Sequence, residues 1–151
     1  MISGKTHIHR TAPDFSLIDA GQALYHPNYL IVADQARAAA LEMAGYPFHE
    51  LWKDGYSLAV RENTSEYFKP VWMGQKLAIL TSLVEATGST LRVRQRFVAA
   101  ELVGERTGFV AAFEPSAVET IHSVTLLLVS IRLTPIKAAR LPEKLRAVLE
   151  L

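Results

Sequence analysis

The residues best placed to do chemistry lie between Asp19 and Tyr29, where Asp-Ala-Gly-Gln-Ala-Leu-Tyr-His-Pro-Asn-Tyr leads from an acidic side chain through a glycine turn into a helix. Pro27 suits the first helical position, because the N–H it lacks would have no partner there and its fixed φ is helical. A helix of about five turns is expected from His26 or Pro27 onward. Its apolar face would carry Tyr29, Val32, Ala33, Ala36, Ala40 and Met43, and Gly45 would end it in a left-handed conformation. Asp19 then lies just before unpaired N–H groups and the positive end of a helix dipole, both of which stabilise negative charge. A carboxylate and an anion-holding backbone are thereby brought together. The bland alternative is that Asp19 only shapes its turn, a frequent task for aspartate near glycine.

Other chemistries are poorly served. No Gly-x-Ser-x-Gly elbow is present, nor any dinucleotide or phosphate-loop glycine pattern. The chain has no cysteine, which removes thiolate nucleophiles, thiolate metal sites and disulfides. His7 and His9 would share one face of a strand but have no acidic partner at ligand spacing, so a solvated strand is expected there and no metal site. Arg92, Arg94 and Arg96 alternate with Leu91, Val93, Gln95 and Phe97, which reads as the wet face of a sheet opposite a buried one.

Composition sets the frame. With 151 residues, half of them apolar, one domain over residues 1–151 is expected around a single core. A net charge of +1 and a pI near 8.1 give no basic excess for nucleic acid. The polar N-terminus has no apolar signal core, and the most apolar run, residues 124–131, is too short to span a bilayer. A soluble, cytoplasmic protein without membrane or nucleic-acid partners is the expectation.

The elements that must hold the Asp19 segment follow from periodicity. Residues 6–18 could supply a first strand that Pro13 breaks or confines to an edge. Residues 46–55 read as a connection, with Trp52 covering core or substrate. Residues 56–68 form a long strand with Leu58, Val60 and Thr64 on one side, ended by Pro70. Further strands are expected over 76–86, 90–100, 108–113 and 120–133, and a short helix over 141–149 behind Pro142. One long helix and a run of hairpin-linked strands make an α+β fold, an antiparallel sheet wrapped about the helix.

The Asp19–Tyr29 segment resembles the signature of the hotdog-fold acyl-CoA thioesterases, in their 4-hydroxybenzoyl-CoA thioesterase-like branch. Asp19, Gly21, Tyr25, His26, Asn28 and Tyr29 fit it without a gap, as do Ala36-Arg37 and Leu41 in the helix. Tyr67-Phe68-Lys69-Pro70, Leu77, Thr81, Gly88-Ser89-Thr90-Leu91 and Gln95-Arg96-Phe97-Val98 follow the same family's middle strands, and Ile136-Lys137 through Leu141-Pro142 its closing segment. Gln22 departs from it, standing where many members have a second glycine. Residues 101–119 also depart, being distinctly longer than the short hairpin usual there, and an enlarged hairpin would be able to reshape the substrate pocket or the subunit contact.

The resemblance implies a thioesterase in which Asp19 acts as nucleophile or as general base on water. The His26 backbone N–H would hold the oxyanion, and the His26 side chain would orient water or substrate. Tyr25, Asn28 and Tyr29 would contact substrate, and Asn63 and Thr64 would reach the site of a partner subunit. It implies an acyl-CoA substrate, no cofactor, no metal, and a homodimer sharing its sites across a sheet edge, with stacking of two dimers into a tetramer as an extension. Arg92, Arg94, Lys137 and Arg140 are candidates for coenzyme A phosphates by charge alone. Two other classes share the fold: a hydratase or dehydratase of acyl thioesters, and a non-catalytic module that binds acyl-CoA.

Overall fold

The structure, a computed structural model, describes residues 1–116 and 118–151. The elements run β1 (Lys5–Thr11), α1 (Tyr29–Met43), α2 (Phe48–Lys53), β2 (Tyr56–Tyr67), β3 (Leu77–Ala86), β4 (Thr90–Ala99), β5 (Gly108–Ala111), β6 (His122–Leu133), β7 (Ile136–Ala138) and α3 (Glu143–Val148). The strands form one antiparallel sheet in the order β2-β6-β4-β3-β1-β5, with β7 paired to the end of β6. The sheet curls around α1, giving the expected α+β hotdog arrangement.

The helix begins as the sequence predicts, with a single 3-10 turn over His26–Asn28 that hands over to α1. Gly45, at φ 90°, ends it. Tyr29, Val32, Ala33, Ala36, Ala40 and Leu41 are buried against the inner face of the sheet, where Leu91, Val93 and Phe97 of β4 are fully enclosed. Alanine recurs along this face because it lets the sheet approach closely. Ala36 and Ala40 are 0 % exposed, so Ala40→Phe should overpack the core and cost about 1–3 kcal/mol, readable as a lower urea midpoint at unchanged slope. Met43 departs from the expectation: it sits in the helix's last turn and is 58 % exposed, with its sulfur running against Gly108 at the start of β5.

A buried polar network ties helix to sheet. The Arg37 guanidinium pairs with Asp34 and donates to Gln95 Oε1 at 2.8 Å. Gln95 Nε2 donates in turn to the Ala33 carbonyl at 2.8 Å and to Thr81 Oγ1 at 3.0 Å. Within this network the buried side chains of Arg37, Gln95 and Thr81 thus find partners.

Four other expectations need correction. Residues 48–53 are a helical turn, not a plain connection, and Trp52 points outward at 60 % exposure while Leu51 and Tyr46 face the core. His7 is buried, because β1 lies between β3 and β5 and its ring packs on Phe109 at 4.9 Å. In β2 a bulge between Val60 and Glu62 inserts one residue, which reverses the alternation and takes Thr64 off the side shared by Leu58 and Val60. Residues 101–119 do not extend a hairpin: after a 3-10 turn over Ala100–Val103 they supply β5, which crosses to pair with β1 at the far edge. Glu114 from this segment is clasped by Arg94 and Arg96, at 2.6 and 3.0 Å, so two rungs of the arginine face anchor the insertion.

Candidate active site

Residues 18–24 make a small hairpin that leans on the core. Ile18 and Leu24 pair, and the Asp19 N–H donates to the Ala23 carbonyl at 2.9 Å. The three-residue loop Ala20-Gly21-Gln22 closes with the Gln22 N–H on the Asp19 carbonyl at 3.0 Å. A loop of this length places its last residue in the left-handed region. Gln22 does so, at φ 65°, which explains why glycine is favoured where this chain has glutamine. Gly21 is favoured for a different reason: a Cβ there would press on Asp19 Oδ1 at 3.1 Å.

That contact matters because the Asp19 carboxylate is half committed. Oδ1 accepts from the Gly21 N–H at 2.8 Å and the Ala23 N–H at 3.4 Å, whereas Oδ2 makes no hydrogen bond among the described residues. The turn-forming role and a chemical role are therefore compatible, one oxygen serving each. Asp19 is exposed, and its charge is felt at Tyr29, whose hydroxyl is pushed up chiefly by burial and further by Tyr67 and Asp19.

The hairpin is bound to its surroundings on both sides. Leu24 N–H donates to the Val71 carbonyl at 2.8 Å and Met73 N–H to the Gln22 carbonyl at 2.9 Å, with Ala23 bridged to Trp72. On the helix side, the Leu17 carbonyl accepts both the Tyr25 N–H at 3.0 Å and the Asn28 side-chain amide at 2.9 Å. Asn28 thus fixes the hairpin to the helix start. The His26 N–H makes no hydrogen bond among the described residues and stands at the helix N-terminus, since Pro27 has none to offer and the Asn28 N–H is taken by the Tyr25 carbonyl.

Of the residues singled out from sequence, Asp19, Tyr25 and His26 are all exposed, and the Tyr25 and His26 rings meet edge to face at 4.8 Å. Tyr29 lies beneath them, 3 % exposed, its hydroxyl accepting the Val71 N–H at 3.2 Å. Asn63 lines a cavity of about 370 Å³ between α1 and β2, with Leu30, Ile31 and Asp34, while Thr64 is turned to the opposite face. Arg92 and Arg94 are occupied by Glu62, Glu85 and Glu114; Lys137 and Arg140 have no carboxylate partner among the described residues.

Tyr67 was not singled out from sequence as a site residue. Its hydroxyl donates to the His26 carbonyl at 2.9 Å and its ring packs on Tyr29 at 5.2 Å and on His122 at 4.6 Å. An aromatic closing a long strand just before a proline was the available signal, but nothing in it says which backbone the hydroxyl meets.

A central helix enclosed by an antiparallel sheet defines the hotdog class of proteins, and in this one a carboxylate-bearing hairpin leads into the helix N-terminus. Residues 14–149 match the family model of the thioesterase-like superfamily, and the chain belongs to that superfamily. Its relatives include the acyl-CoA thioester hydrolase YbgC of Escherichia coli, 30 % identical over 99 residues that make up 64 % of this chain and 74 % of YbgC. Among solved structures, the DHNA-CoA thioesterase of Staphylococcus aureus superposes with a TM-score of 0.79 at 16 % identity, over 96 % of this chain and 89 % of that one. The 1,4-dihydroxy-2-naphthoyl-CoA thioesterase Slr0204 of Synechocystis does so with 0.78 at 15 % identity, over 95 % of each. The hypothetical protein SAV2348 of S. aureus, solved in complex with CoA, gives 0.77 at 14 % identity, over 99 % of this chain and 84 % of its own. These three likenesses establish the fold.

Proposed function

We propose that this thioester hydrolase cleaves acyl-CoA to free acid and coenzyme A in the cytoplasm, with Asp19 acting at the carbonyl and the His26 N–H holding the oxyanion. The observation that carries the reading is that one hairpin–helix junction leaves both an uncommitted carboxylate oxygen and an uncommitted backbone donor. The donor adds the charge preference of a helix N-terminus to that of the N–H itself. Asp19 Oδ2 attacks the carbonyl carbon to give a mixed anhydride, or takes a proton from an attacking water; the coenzyme A thiolate leaves in either case. Single turnover in H2(18)O tests the first route, because label in the Asp19 side chain requires the anhydride and water attack at its Asp19 carbonyl.

Tyr67 is a positioning residue in this scheme. Its hydroxyl holds the His26 carbonyl and so fixes the backbone next to the oxyanion donor. Tyr67→Phe keeps the ring packing and loses one hydrogen bond of about 1 kcal/mol, a rate effect of about fivefold. The loss should fall on kcat with KM little changed; a pure KM effect would place Tyr67 in binding only.

The second copy of the chain is the proposed partner. β2 is the sheet's outermost strand at one side and carries the exposed Val60 and Tyr67, with Phe68 just beyond. Pairing β2 with its symmetry mate would extend the sheet, cover the open edge and bring Asn63 and Thr64 to the boundary between sites. Light scattering at micromolar concentration should give at least twice the chain mass. A monomer would end the shared-site model.

A further inference from the structure

We infer that the cleft between Trp72 and the insertion is the receptor for the acyl group of the substrate, and that it takes an uncharged, apolar acyl chain or ring. The inference rests on the thioesterase reading and names the part of the substrate this chain selects. The cleft encloses about 820 Å³ and is floored by Pro70, Trp72, Leu102 and Ile121. One wall comes from the connection between β2 and β3, the other from residues that flank β5.

What links this cleft to Asp19 is strand parity. Ile18–Asp19, Ala23–Leu24 and Val71–Met73 lie side by side as three short antiparallel segments. Partners directly opposite one another in such pairs project to the same face. Ile18, Leu24 and Val71 pack inward with the core. Asp19, Ala23 and Trp72 therefore share the outer face, and two strand spacings place the Trp72 backbone about 10 Å from that of Asp19. A thioester carbonyl at Asp19 would have its acyl group directed across Ala23, which is too small to obstruct it, toward the Trp72 ring.

Charge decides which end of the substrate enters. Glu101 and Glu119 stand at the lining against one cation, Lys69, whose Nζ is already bound to the Val118 carbonyl at 2.6 Å. A net negative rim repels the phosphates of coenzyme A and admits an uncharged group. An acyl group bearing its own carboxylate is disfavoured for the same reason.

Kinetics on the full chain test this. The ratio of kcat/KM for octanoyl-CoA or benzoyl-CoA to that for acetyl-CoA should fall about tenfold or more in Leu102→Trp, which fills the cleft. Both substrates are read on one preparation, so any loss of folded enzyme cancels. In Trp52→Phe, which leaves Trp72 as the sole tryptophan, the unhydrolysable thioether S-octyl-CoA should quench emission and coenzyme A alone should not. A ratio unchanged within twofold overturns the inference, as does equal quenching by coenzyme A. If the wild type hydrolyses no acyl-CoA, the proposed function fails by itself; quenching by S-octyl-CoA then upholds the cleft as an acyl site and its absence removes it.

Discussion

Asp19→Asn should lower acyl-CoA turnover by at least about a hundredfold, the usual cost of losing a catalytic acid–base group, while the protein should stay folded. Asparagine is the informative replacement because its side-chain carbonyl can still accept from the Gly21 and Ala23 N–H groups that Oδ1 now serves. The hairpin therefore persists, and only the charge and the reactive second oxygen are lost. Asp19→Ala should lose activity to a similar degree, and it also removes the loop's acceptor, so its melting temperature should fall below that of the Asn variant. Were Asp19 a turn-former alone, Asp19→Asn would hydrolyse acyl-CoA at nearly the wild-type rate, and that result would sink the assignment.

The second large effect is on stability in acid. His7 and His122 are both buried, and burial pushes each imidazole down to about 4; the N-terminal ammonium and His9 add to the shift at His7. His122 is enclosed by Tyr29, Tyr67 and Phe97, and neither of its ring nitrogens has a hydrogen-bond partner among the described residues. The sign follows from the neutral native form. Above the ordinary imidazole pKa of about 6.5 neither state binds the proton; below it the unfolded chain does and the native one does not, so stability falls until about pH 4. At pH 5 each histidine should cost about 2 kcal/mol relative to pH 7.5, a large share of the 5–15 kcal/mol typical of a domain. Urea titrations at the two pH values measure it, and His122→Phe should remove about 2 kcal/mol of the loss, the remainder falling on His7 and on the Met1 amino group, which burial pushes down to about 5. Equal stability at pH 5 and 7.5 would show that these rings do not titrate as buried groups.

Much of this architecture was legible because period and punctuation agree. Pro27 and Gly45 bracket α1, and the alternation in β4 sorts Leu91, Val93, Gln95 and Phe97 inward and the arginines outward, as the structure has it. The misreadings share one cause: local pattern does not report what a segment packs against. His7 looked solvated because nothing near it in sequence says that β5, about a hundred residues later, covers it. Thr64 was assigned to the wrong side because one bulged residue reverses every position after it. At the site, the Asp19–Pro27 spacing marked the junction, whereas the Tyr67 hydroxyl meets His26 across 41 residues of sequence, a contact only the sheet's path creates.

The insertion that forms β5 has a consequence for how far self-association can run. β5 lies outside β1 and is only four residues long, so of the sheet's two margins just one, the twelve-residue β2, offers a ladder worth extending. Two chains joined through β2 about a two-fold axis would turn their β5 margins outward, and growth by edge pairing would terminate at a pair. Without residues 101–119 the seven-residue β1 would become a second template, and the same edge chemistry that closes a dimer could then propagate from copy to copy as an open-ended ribbon.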